Sequence, residues 1–372
     1  MASLPSAPWE VLVVCVLLAL APAVVAPRRF ALWRVLALIA TTVVSLFAPT
    51  IDVAYTGVAT GAALLAAMAW SEARTAAVVF ALSAVTAIGA MMAADAGMLT
   101  AAFGLSMITV AMRAGVMPVN AGVSNLCDRS PLLQTQQLST LIALVFVHLR
   151  FVDHHDGAIA AAPLIVRYGA AAALAGAMMT LVQRDLRGFY RGTMAMHGGM
   201  LIAALGAASL HNFSSALLVA VSVALGIGGL GMMITALEER VGQISFAEPG
   251  GRASAFPKLT ALFVLFGGAS VGLPGTAGFV ADDLLLHAMW MESATGTALM
   301  IVSSAVVSVA TLTAYSRVFL GKMQSWLAPD LGLRERLVGV LLFSLLVFLG
   351  VAPGVLLGPA EAFLGGSPVG LP

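Results

Sequence analysis

The sequence predicts an all-α, polytopic membrane protein with about twelve transmembrane helices. Of its 372 residues, 60% are hydrophobic and only 9% are charged, which is far from the balance of a soluble globular domain. The apolar residues fall into about twelve stretches that approach the roughly 20 residues needed to cross a bilayer. The formal net charge of +1 leaves no polybasic surface. We therefore expect a lipid bilayer around the chain and no nucleic-acid partner.

The predicted spans follow one another with short loops between them. They cover residues 10–26, 30–48, 53–70, 75–94, 97–127, 133–152, 162–183, 192–210, 212–237, 258–290, 296–316 and 337–353. Two of them are broken, the first at Pro118 and the second at Pro274, Gly275 and Gly278. Broken helices at corresponding places of two repeats are typical of transporters. We expect a single membrane domain, residues 1–372, with an extra N-terminal helix (10–29), two inverted five-helix repeats (30–152 and 162–316) and a C-terminal helix (337–353).

The basic residues indicate an orientation. Most of the 18 Lys and Arg residues fall in alternate loops, beginning with the loop after the first span. Because cytoplasmic loops carry the excess of basic residues, this side is expected to be cytoplasmic. Both termini would then lie on the other side of a cell (inner) membrane.

The longest polar loop, residues 238–257, lies on the predicted cytoplasmic side. A specific interface buries about 800 Å² per partner, more than short turns offer. We therefore expect a partner protein to dock there, on a surface that includes Phe246 and Pro249. Glu238-Glu239-Arg240, at the start of the loop, is interpreted as a solvated helix end.

Arg113 lies in the apolar segment Met112-Arg113-Ala114-Gly115-Val116-Met117-Pro118, directly before the first break. A charge at membrane depth costs about 3 kcal/mol on insertion scales, so it is rarely retained without a partner or a water-filled path. One interpretation is a fixed positive charge that controls the protonation of a neighbouring acid or water chain. The other is a structural arginine that snorkels or pairs. An arginine cannot itself release a proton.

Asp282 and Asp283 follow the second break. Proline and glycine free helical carbonyl groups there, and these need water or side-chain partners. A carboxylate at such a point can bind and release a proton where burial disfavours its charged form. Alternatively, both aspartates cap the second half-helix at its N-terminal end, where the helix dipole favours negative charge. His287 lies four residues after Asp283 on the same helical face, so it extends the path or bonds that aspartate.

Three histidines and a glutamine complete the predicted proton path: His148, His197, His211 and Gln137. Histidine titrates near neutral pH and passes a proton through either ring nitrogen. Each histidine also has a structural interpretation. His197 would be a hydrogen-bond donor satisfied within the protein, His211 would be exposed at the start of a helix, and His148 would simply lie at the end of a span. Gln137 ends the run Gln134-Thr135-Gln136-Gln137. The amides of this run are expected either to orient water without taking up a proton or to pack against neighbouring helices.

Several kinds of site are absent from the sequence. Cys15 and Cys127 lie far apart with no ligand-like spacing, so neither a disulfide nor a metal site is expected. There is no Gly-rich phosphate loop and no cysteine cluster for iron–sulfur or haem. We expect no cofactor, no metal and no catalytic centre in this chain.

At the second break the residues resemble a known family. Ala255-Phe256-Pro257-Lys258-Leu259-Thr260-Ala261-Leu262-Phe263, followed by Leu273-Pro274-Gly275-Thr276-Ala277-Gly278-Phe279, looks like the second-half broken helix of the antiporter-like proton-channel subunits of respiratory complex I and its relatives. These relatives include Mrp antiporters and the membrane subunit of two-component inorganic-carbon transporters. The Arg113 segment resembles their first-half broken helix. Gln183-Arg184-Asp185-Leu186-Arg187 resembles the turn between their repeats.

The resemblance also marks departures from the family pattern. A lysine usually occupies the position of Arg113, and the central lysine or histidine aligns best with Gln137. A further lysine position is Ser215, and the terminal lysine or glutamate is Asp282. The first-repeat glutamate has no counterpart, with Thr60 near its expected place. A continuous lysine relay is therefore not implied.

The resemblance implies a membrane-embedded, proton-conducting subunit that couples proton movement to a partner protein, which would supply any chemistry. Coupling to a partner is the favoured form, because the altered charges fit a divergent accessory system better than a standard complex I subunit; the identity of the partner is left open, with an inorganic-carbon uptake protein as one candidate. The alternatives are a proton-pumping subunit of complex I or of a membrane hydrogenase, a cation/proton antiporter, and a passive membrane anchor.

Overall fold

The computed structural model describes residues 9–27, 29–152, 156–208, 213–248, 250–322 and 328–364. These ranges form fifteen α-helices, joined by short connections. The helices are α1 (Trp9–Val25), α2 (Leu32–Phe47), α3 (Ile51–Ala69), α4 (Arg74–Asp95), α5 (Leu99–Ala114), α6 (Ala121–Arg129), α7 (Pro131–Val152), α8 (Asp156–Leu181), α9 (Leu186–Ala208), α10 (Phe213–Val241), α11 (Pro257–Ser270), α12 (Ala277–Glu292), α13 (Ala294–Phe319), α14 (Leu333–Val351) and α15 (Gly354–Leu364).

Both predicted helix breaks are confirmed. Gly115, with a φ of 73°, separates α5 from α6 just before Pro118. Gly272 and Gly275, with φ values of 80° and 87°, separate α11 from α12 on either side of Pro274. A side chain is strained at positive φ, so glycine is needed where the chain leaves each helix. The pairs α5–α6 and α11–α12 each count as one broken helix. On that count α2–α7 and α8–α13 each contain five elements, and the broken helix is the fourth in both, as the predicted inverted repeats require.

The all-helical membrane fold is confirmed, and most helix ends lie within four residues of the predicted spans, whereas α8 and α9 each begin six residues earlier than predicted. Among the described residues, six helices are at least 18 residues long and apolar enough to cross a membrane, namely α3, α4, α7, α8, α10 and α13. Four shorter helices, α1, α2, α5 and α11, are also apolar. The total of twelve spans stays a prediction. The short helix α15 was not predicted, because it has only 11 residues and contains Pro359, which is unfavourable inside a helix.

The centre of the bundle is formed by α7, α9 and α10. The apolar windows of α7 and α10 are entirely buried by the other helices. Around them, the outer helices expose apolar side chains such as Val85 and Leu312, as expected for surfaces that face lipid. Small residues let α8 and α9 approach closely. A Cβ added at Gly169, Gly176 or Gly199 would lie only 2.4, 2.4 or 2.3 Å from a backbone nitrogen of the facing helix.

Ion pairs join the loops at the end of the bundle that carries the basic residues. Arg187 Nε lies 2.7 Å from Glu238 Oε2, and Arg240 Nη2 lies 2.6 Å from Glu335 Oε2. The Glu238 side chain is only 6% exposed. The predicted solvated helix end is therefore wrong for Glu238, because the charge is neutralised by an arginine from the start of α9. The alternate loops meet at one end of the bundle, as the predicted alternation of spans requires.

Most of the long loop, residues 238–257, is fixed to the bundle. The Phe246 backbone N–H donates to the carbonyl of Arg184 (2.8 Å), and that of Gly251 donates to the carbonyl of Leu320 (3.0 Å). Phe246 is partly buried against the core, and Pro249 lies outside the described residues. The loop is thus a shaped part of this end of the protein. Its role as a docking surface stays a prediction.

Candidate functional site

His197, on the central helix α9, connects to the second break. Its Nε2 lies 2.7 Å from the carbonyl oxygen of Ser270, at the end of α11, and its Nδ1 lies 2.8 Å from the carbonyl oxygen of Thr193. Both partners are acceptors, and a neutral imidazole has only one N–H. Only the protonated ring can donate to both. His197 is 3% exposed, so both ring nitrogens bond the protein inside the bundle.

Asp282 lies on α12 and turns back towards the break. A Cβ added at Gly272 would lie 2.8 Å from Asp282 Oδ2, so the carboxylate sits directly against the left-handed turn. Asp282, His197, Ser222 and Ser270 line one small cavity of about 10 Å³, close to the minimum that a single water molecule needs. The structure therefore brings two residues of the predicted path, Asp282 and His197, to the same small cavity at the second break.

Asp283 and His287 are not part of this cavity. They share one face of α12, as predicted, but that face is exposed. The alternative that both aspartates cap the second half-helix is wrong, because α12 begins at Ala277 and its N-cap residue is Thr276. Asp283 therefore lies more than one turn inside the helix, beyond the groups that a capping side chain reaches.

Arg113 is buried at the end of α5, with 1% of its surface exposed. Its Nη2 donates a hydrogen bond to Thr140 Oγ1, and its guanidinium carbon lies 5.3 Å from the ring centroid of Phe80. The five ion pairs among the described residues do not include Arg113. The side chain is held by a hydroxyl and an aromatic face, so it is a fixed positive charge and not half of an ion pair.

Gln137 holds the backbone at the first break. Its Nε2 donates to the carbonyl oxygen of Arg113 at 2.6 Å, and its Oε1 accepts from Gln134 Nε2 at 3.1 Å. Both glutamines are completely buried. The amide run thus satisfies a carbonyl group that α5 leaves open. Its predicted role in orienting water stays a prediction. Thr140, which sequence reasoning missed, completes this group on α7.

A second polar cluster lies in the first half of the bundle. Tyr55 Oη and Ser106 Oγ are 2.5 Å apart, and Ser106 Oγ lies 2.7 Å from His148 Nδ1. The three side chains come from α3, α5 and α7, and none is more than 1% exposed. His148 Nε2 has no hydrogen-bond partner among the described residues. Sequence reasoning named His148 but missed Tyr55 and Ser106, whose only signal was a hydroxyl group inside an apolar span.

The residue after His197 contacts the first break. A Cβ added at Gly198 would lie 2.4 Å from the carbonyl oxygen of Ala114, the last residue of α5. Neighbouring residues of α9 therefore touch the ends of both interrupted helices. His211, the remaining histidine of the predicted path, lies outside the described residues.

A charged cavity of about 600 Å³ opens at the end of the bundle that carries the basic loops. It is lined by both partners of the Arg187–Glu238 ion pair and by Asp128 and Arg191, whose side chains lie 2.7 Å apart. The Gln183–Arg187 turn leads into α9, whose first two turns carry Arg187 and Arg191.

Solved membrane complexes contain chains with the same fold. The chain matches one in "Respiratory complex I from Thermus thermophilus with bound NADH" with a TM-score of 0.84 and 22% identity, over 95% of this chain and 83% of that one. It matches one in the Mrp complex from Dietzia sp. DQ12-45-1b with a TM-score of 0.79 and 17% identity, over 96% and 82%. A third match is to the membrane-bound sulfane sulfur reductase, an archaeal respiratory membrane complex, with a TM-score of 0.82 and 18% identity, over 98% and 68%.

Curated relatives extend the comparison to sequence. The chain is 28% identical to NADH-quinone oxidoreductase subunit M of Escherichia coli (strain K12) over 208 residues, which is 55% of this chain and 41% of that protein. It is 24% identical to NAD(P)H-quinone oxidoreductase chain 4, chloroplastic, of Cryptomeria japonica over 225 residues, 58% of this chain and 45% of that protein. The match thus spans less than half of these relatives. A family model covers residues 11–308, and the chain therefore belongs to the NADH:quinone oxidoreductase/Mrp antiporter transmembrane family.

Proposed function

We propose that this chain is a membrane-embedded, proton-conducting subunit that couples proton movement to a partner protein. The observation that carries the proposal is the cavity shared by Asp282 and His197 at the second break. A carboxylate and an imidazole are groups that exchange protons, and they meet where two glycines and a proline have opened the helix. Ionisable residues inside membrane helices mark ion and proton pathways.

The geometry suggests how proton occupancy acts on the break. A protonated His197 donates to the carbonyl groups of both Thr193 and Ser270, whereas a neutral ring donates to one. Loss of a proton from His197 to Asp282, directly or through one water, therefore releases a carbonyl group. If Ser270 is released, α11 loses its tie to α9. Proton transfer and the position of the half-helix are linked through this hydrogen bond.

A protein partner is supported by the neighbours in fold, which are chains of multi-subunit membrane complexes. The chain would supply the proton path, and the partner any redox or zinc chemistry. We favour an inorganic-carbon uptake partner, because the charges of the family's proton path are altered here. Arg113 and Gln137 stand where the family has lysine or histidine. The two lysines of the chain lie at helix ends: Lys258 is the second residue of α11, and Lys322 follows the end of α13.

In the proposed orientation, the chain lies in the inner membrane of the cell, and the Arg187–Glu238 end of the bundle faces the cytoplasm. Both termini are then on the opposite side. The partner docks mainly on this end, through residues 238–257 and the neighbouring helix ends. The charged cavity beside Arg191 gives this face a concave surface with both signs of charge.

The test compares Asp282→Asn with Asp283→Asn in the full chain reconstituted in liposomes that contain a pH-sensitive dye. Asparagine keeps the size and the hydrogen-bonding capacity of aspartate but cannot release a proton at neutral pH. Asp282→Asn is expected to lower proton flux by at least about tenfold. Asp283→Asn is the matched control, since Asp283 lies on the exposed face of α12, and it should conduct like the unchanged chain.

The other outcomes discriminate between the alternatives. Loss of flux in Asp283→Asn alone would place the path on the outer face of α12. Full flux in both variants would remove the proton path through α12, and no flux in the unchanged chain would favour a passive membrane anchor. Flux that requires sodium would favour a cation/proton antiporter. Co-purification from native membranes identifies the partner, and a partner bound only on the opposite face would contradict the proposed docking.

A further inference from the structure

We propose that a groove between α11 and α13 binds one acyl chain of an anionic phospholipid, whose headgroup is held by Lys258 and Lys322. This inference goes beyond the proposed function and does not depend on it. It concerns the outer surface of the second half of the bundle, and it is tested by lipid binding and not by proton flux.

The groove is apolar and open to the outside of the bundle. Its volume is about 530 Å³, within the range of about 300–1,000 Å³ that is typical of ligand-binding pockets. On its two walls, Val264 of α11 and Leu312 of α13 are 42% and 68% exposed. The hydroxyl groups of Ser308 and Thr311 donate to carbonyl groups of their own helix, at 2.7 and 2.8 Å. These two polar side chains therefore need no partner from the groove, and the walls suit a hydrocarbon chain.

The groove follows the course of an acyl chain in one leaflet. Tyr315 and Ser308 line it on α13, four and eleven residues before this helix ends at Phe319. At 1.5 Å per residue, the groove extends from about 6 to about 16 Å from that helix end. Half of the hydrocarbon core of a bilayer is about 15 Å thick. The groove thus reaches from the region below the headgroups to about the middle of the membrane.

Aromatic side chains mark the end of the groove that lies nearer the membrane surface. Phe263 and Tyr315, one from each wall, both contact Phe319, with ring centroids 5.0 and 5.9 Å apart. These contacts place the first turns of α11 beside the last turns of α13. Tyrosine is enriched at the membrane–water interface, so Tyr315 lies where an acyl chain would meet its headgroup.

The two lysines of the chain lie at this same end. Lys258, the second residue of α11, is seven residues before Leu265 on the groove wall and shares its helical face. Lys322 follows the end of α13. Both lysines are exposed, and the five ion pairs among the described residues include neither of them. The nearby carboxylate of Asp330 accepts backbone N–H groups at the start of α11 instead.

The charge of the two lysines selects the kind of lipid. A hydrocarbon chain gains little when it moves from the bilayer into a groove, because lipid tails are as apolar as leucine side chains. Preference for one lipid over another must therefore come from the headgroup. Basic residues near the membrane surface attract anionic lipids, and a lysine can lay its stem along apolar surface while its charge stays in the interface.

The inner end of the groove lies against the second break. Gly272 and Leu273 line it there, and a Cβ added at Gly272 would lie 2.8 Å from Asp282 Oδ2. A chain in the groove would therefore cover the same turn that the Asp282 carboxylate contacts from α12.

The test uses the full chain in nanodiscs with equal amounts of phosphatidylglycerol and phosphatidylcholine that carry the same acyl chains. Leu312→benzoylphenylalanine places a photoreactive group in the groove. Val85→benzoylphenylalanine is the matched control, since Val85 is 64% exposed on the outer surface of α4. Mass spectrometry of the crosslinked lipids gives the ratio of phosphatidylglycerol to phosphatidylcholine. We expect this ratio to be at least about fivefold higher at residue 312 than at residue 85, and Lys258→Gln with Lys322→Gln to abolish the excess.

Filling the groove is the second arm of the test. A Cβ at Gly268 would lie 3.6 Å from the nearest atom of the Leu273 side chain, an ordinary contact, so Gly268→Met should fill the groove without moving the backbone. It is expected to lower lipid crosslinking at residue 312, whereas Gly104→Met, at a position with no atom within 4 Å of the added Cβ, should not. Equal lipid ratios at residues 312 and 85 would overturn the site. An excess that survives the loss of both lysines would overturn the assignment of the headgroup.

Discussion

Replacing Gly199 with alanine tests the packing that holds the central helix α9 in place. The added Cβ would lie 2.3 Å from the backbone nitrogen of Ala173 and 2.7 Å from the carbonyl oxygen of Gly169, whereas ordinary van der Waals contacts begin at 3.4 Å. Because these atoms are backbone, no side chain can move away, and α8 and α9 must separate by about 1 Å. Overpacking of this kind costs about 1–3 kcal/mol, against a gain of at most about 1 kcal/mol from the better helix propensity of alanine.

The free energy of unfolding is measured by titrating the purified chain with sodium dodecyl sulfate in mixed micelles and following helicity. Gly104→Ala is the control, since a Cβ at Gly104, in α5, meets no atom within 4 Å. We expect Gly199→Ala to be less stable than this control by about 1–3 kcal/mol. Equal stability of the two variants, within about 0.5 kcal/mol, would refute the close approach of α8 and α9.

Four further predictions concern other parts of the molecule. Asp330→Ala should lower the free energy of unfolding by about 1 kcal/mol in the same titration, because Asp330 Oδ2 accepts the backbone N–H of Lys258 at the start of α11 (2.8 Å). Gly251→Ala should speed backbone hydrogen exchange in residues 242–256, since Gly251 has a φ of 88° and a Cβ there would meet Lys322 O at 1.9 Å. Arg113→Ala should shift the pH dependence of proton flux without abolishing it, because it removes a fixed charge and not a proton carrier. A cysteine at residue 245 should react with an impermeant reagent only from the cytoplasmic side, and labelling from the other side would overturn the proposed orientation.

The helices and their breaks could be predicted from the sequence because they depend on local features. Long apolar runs favour spanning helices, and the Gly115–Pro118 and Gly272–Gly275 segments stop a helix wherever they occur. The order of the elements followed directly. The short helix α15 escaped because it has neither the length nor the flanking signals of a span.

The contacts of the candidate site could be predicted only in part, because they depend on how distant helices pack. Asp282 and His197 were each identified as ionisable groups in apolar spans, but nothing local indicated that they share a cavity. Tyr55 was missed because a tyrosine in an apolar helix is ordinary until its hydroxyl meets Ser106. Glu238 was misinterpreted because its neutralising partner, Arg187, belongs to another helix. Residue type was visible in the sequence, whereas the partner of each residue was not.

The adjacency of His197 and Gly198 has a thermodynamic consequence. One residue bonds the last carbonyl of α11, and the next lies against the last carbonyl of α5. Any coupling free energy between two such sites is reciprocal. If the end of α5 moves when a proton binds His197, then displacing the end of α5 changes the affinity of His197 for that proton by the same factor. Proton binding at the second break and the position of α5 at the first break are thus coupled through two adjacent residues. Gly198→Ala, a change at the first break, is therefore expected to alter proton binding at the second.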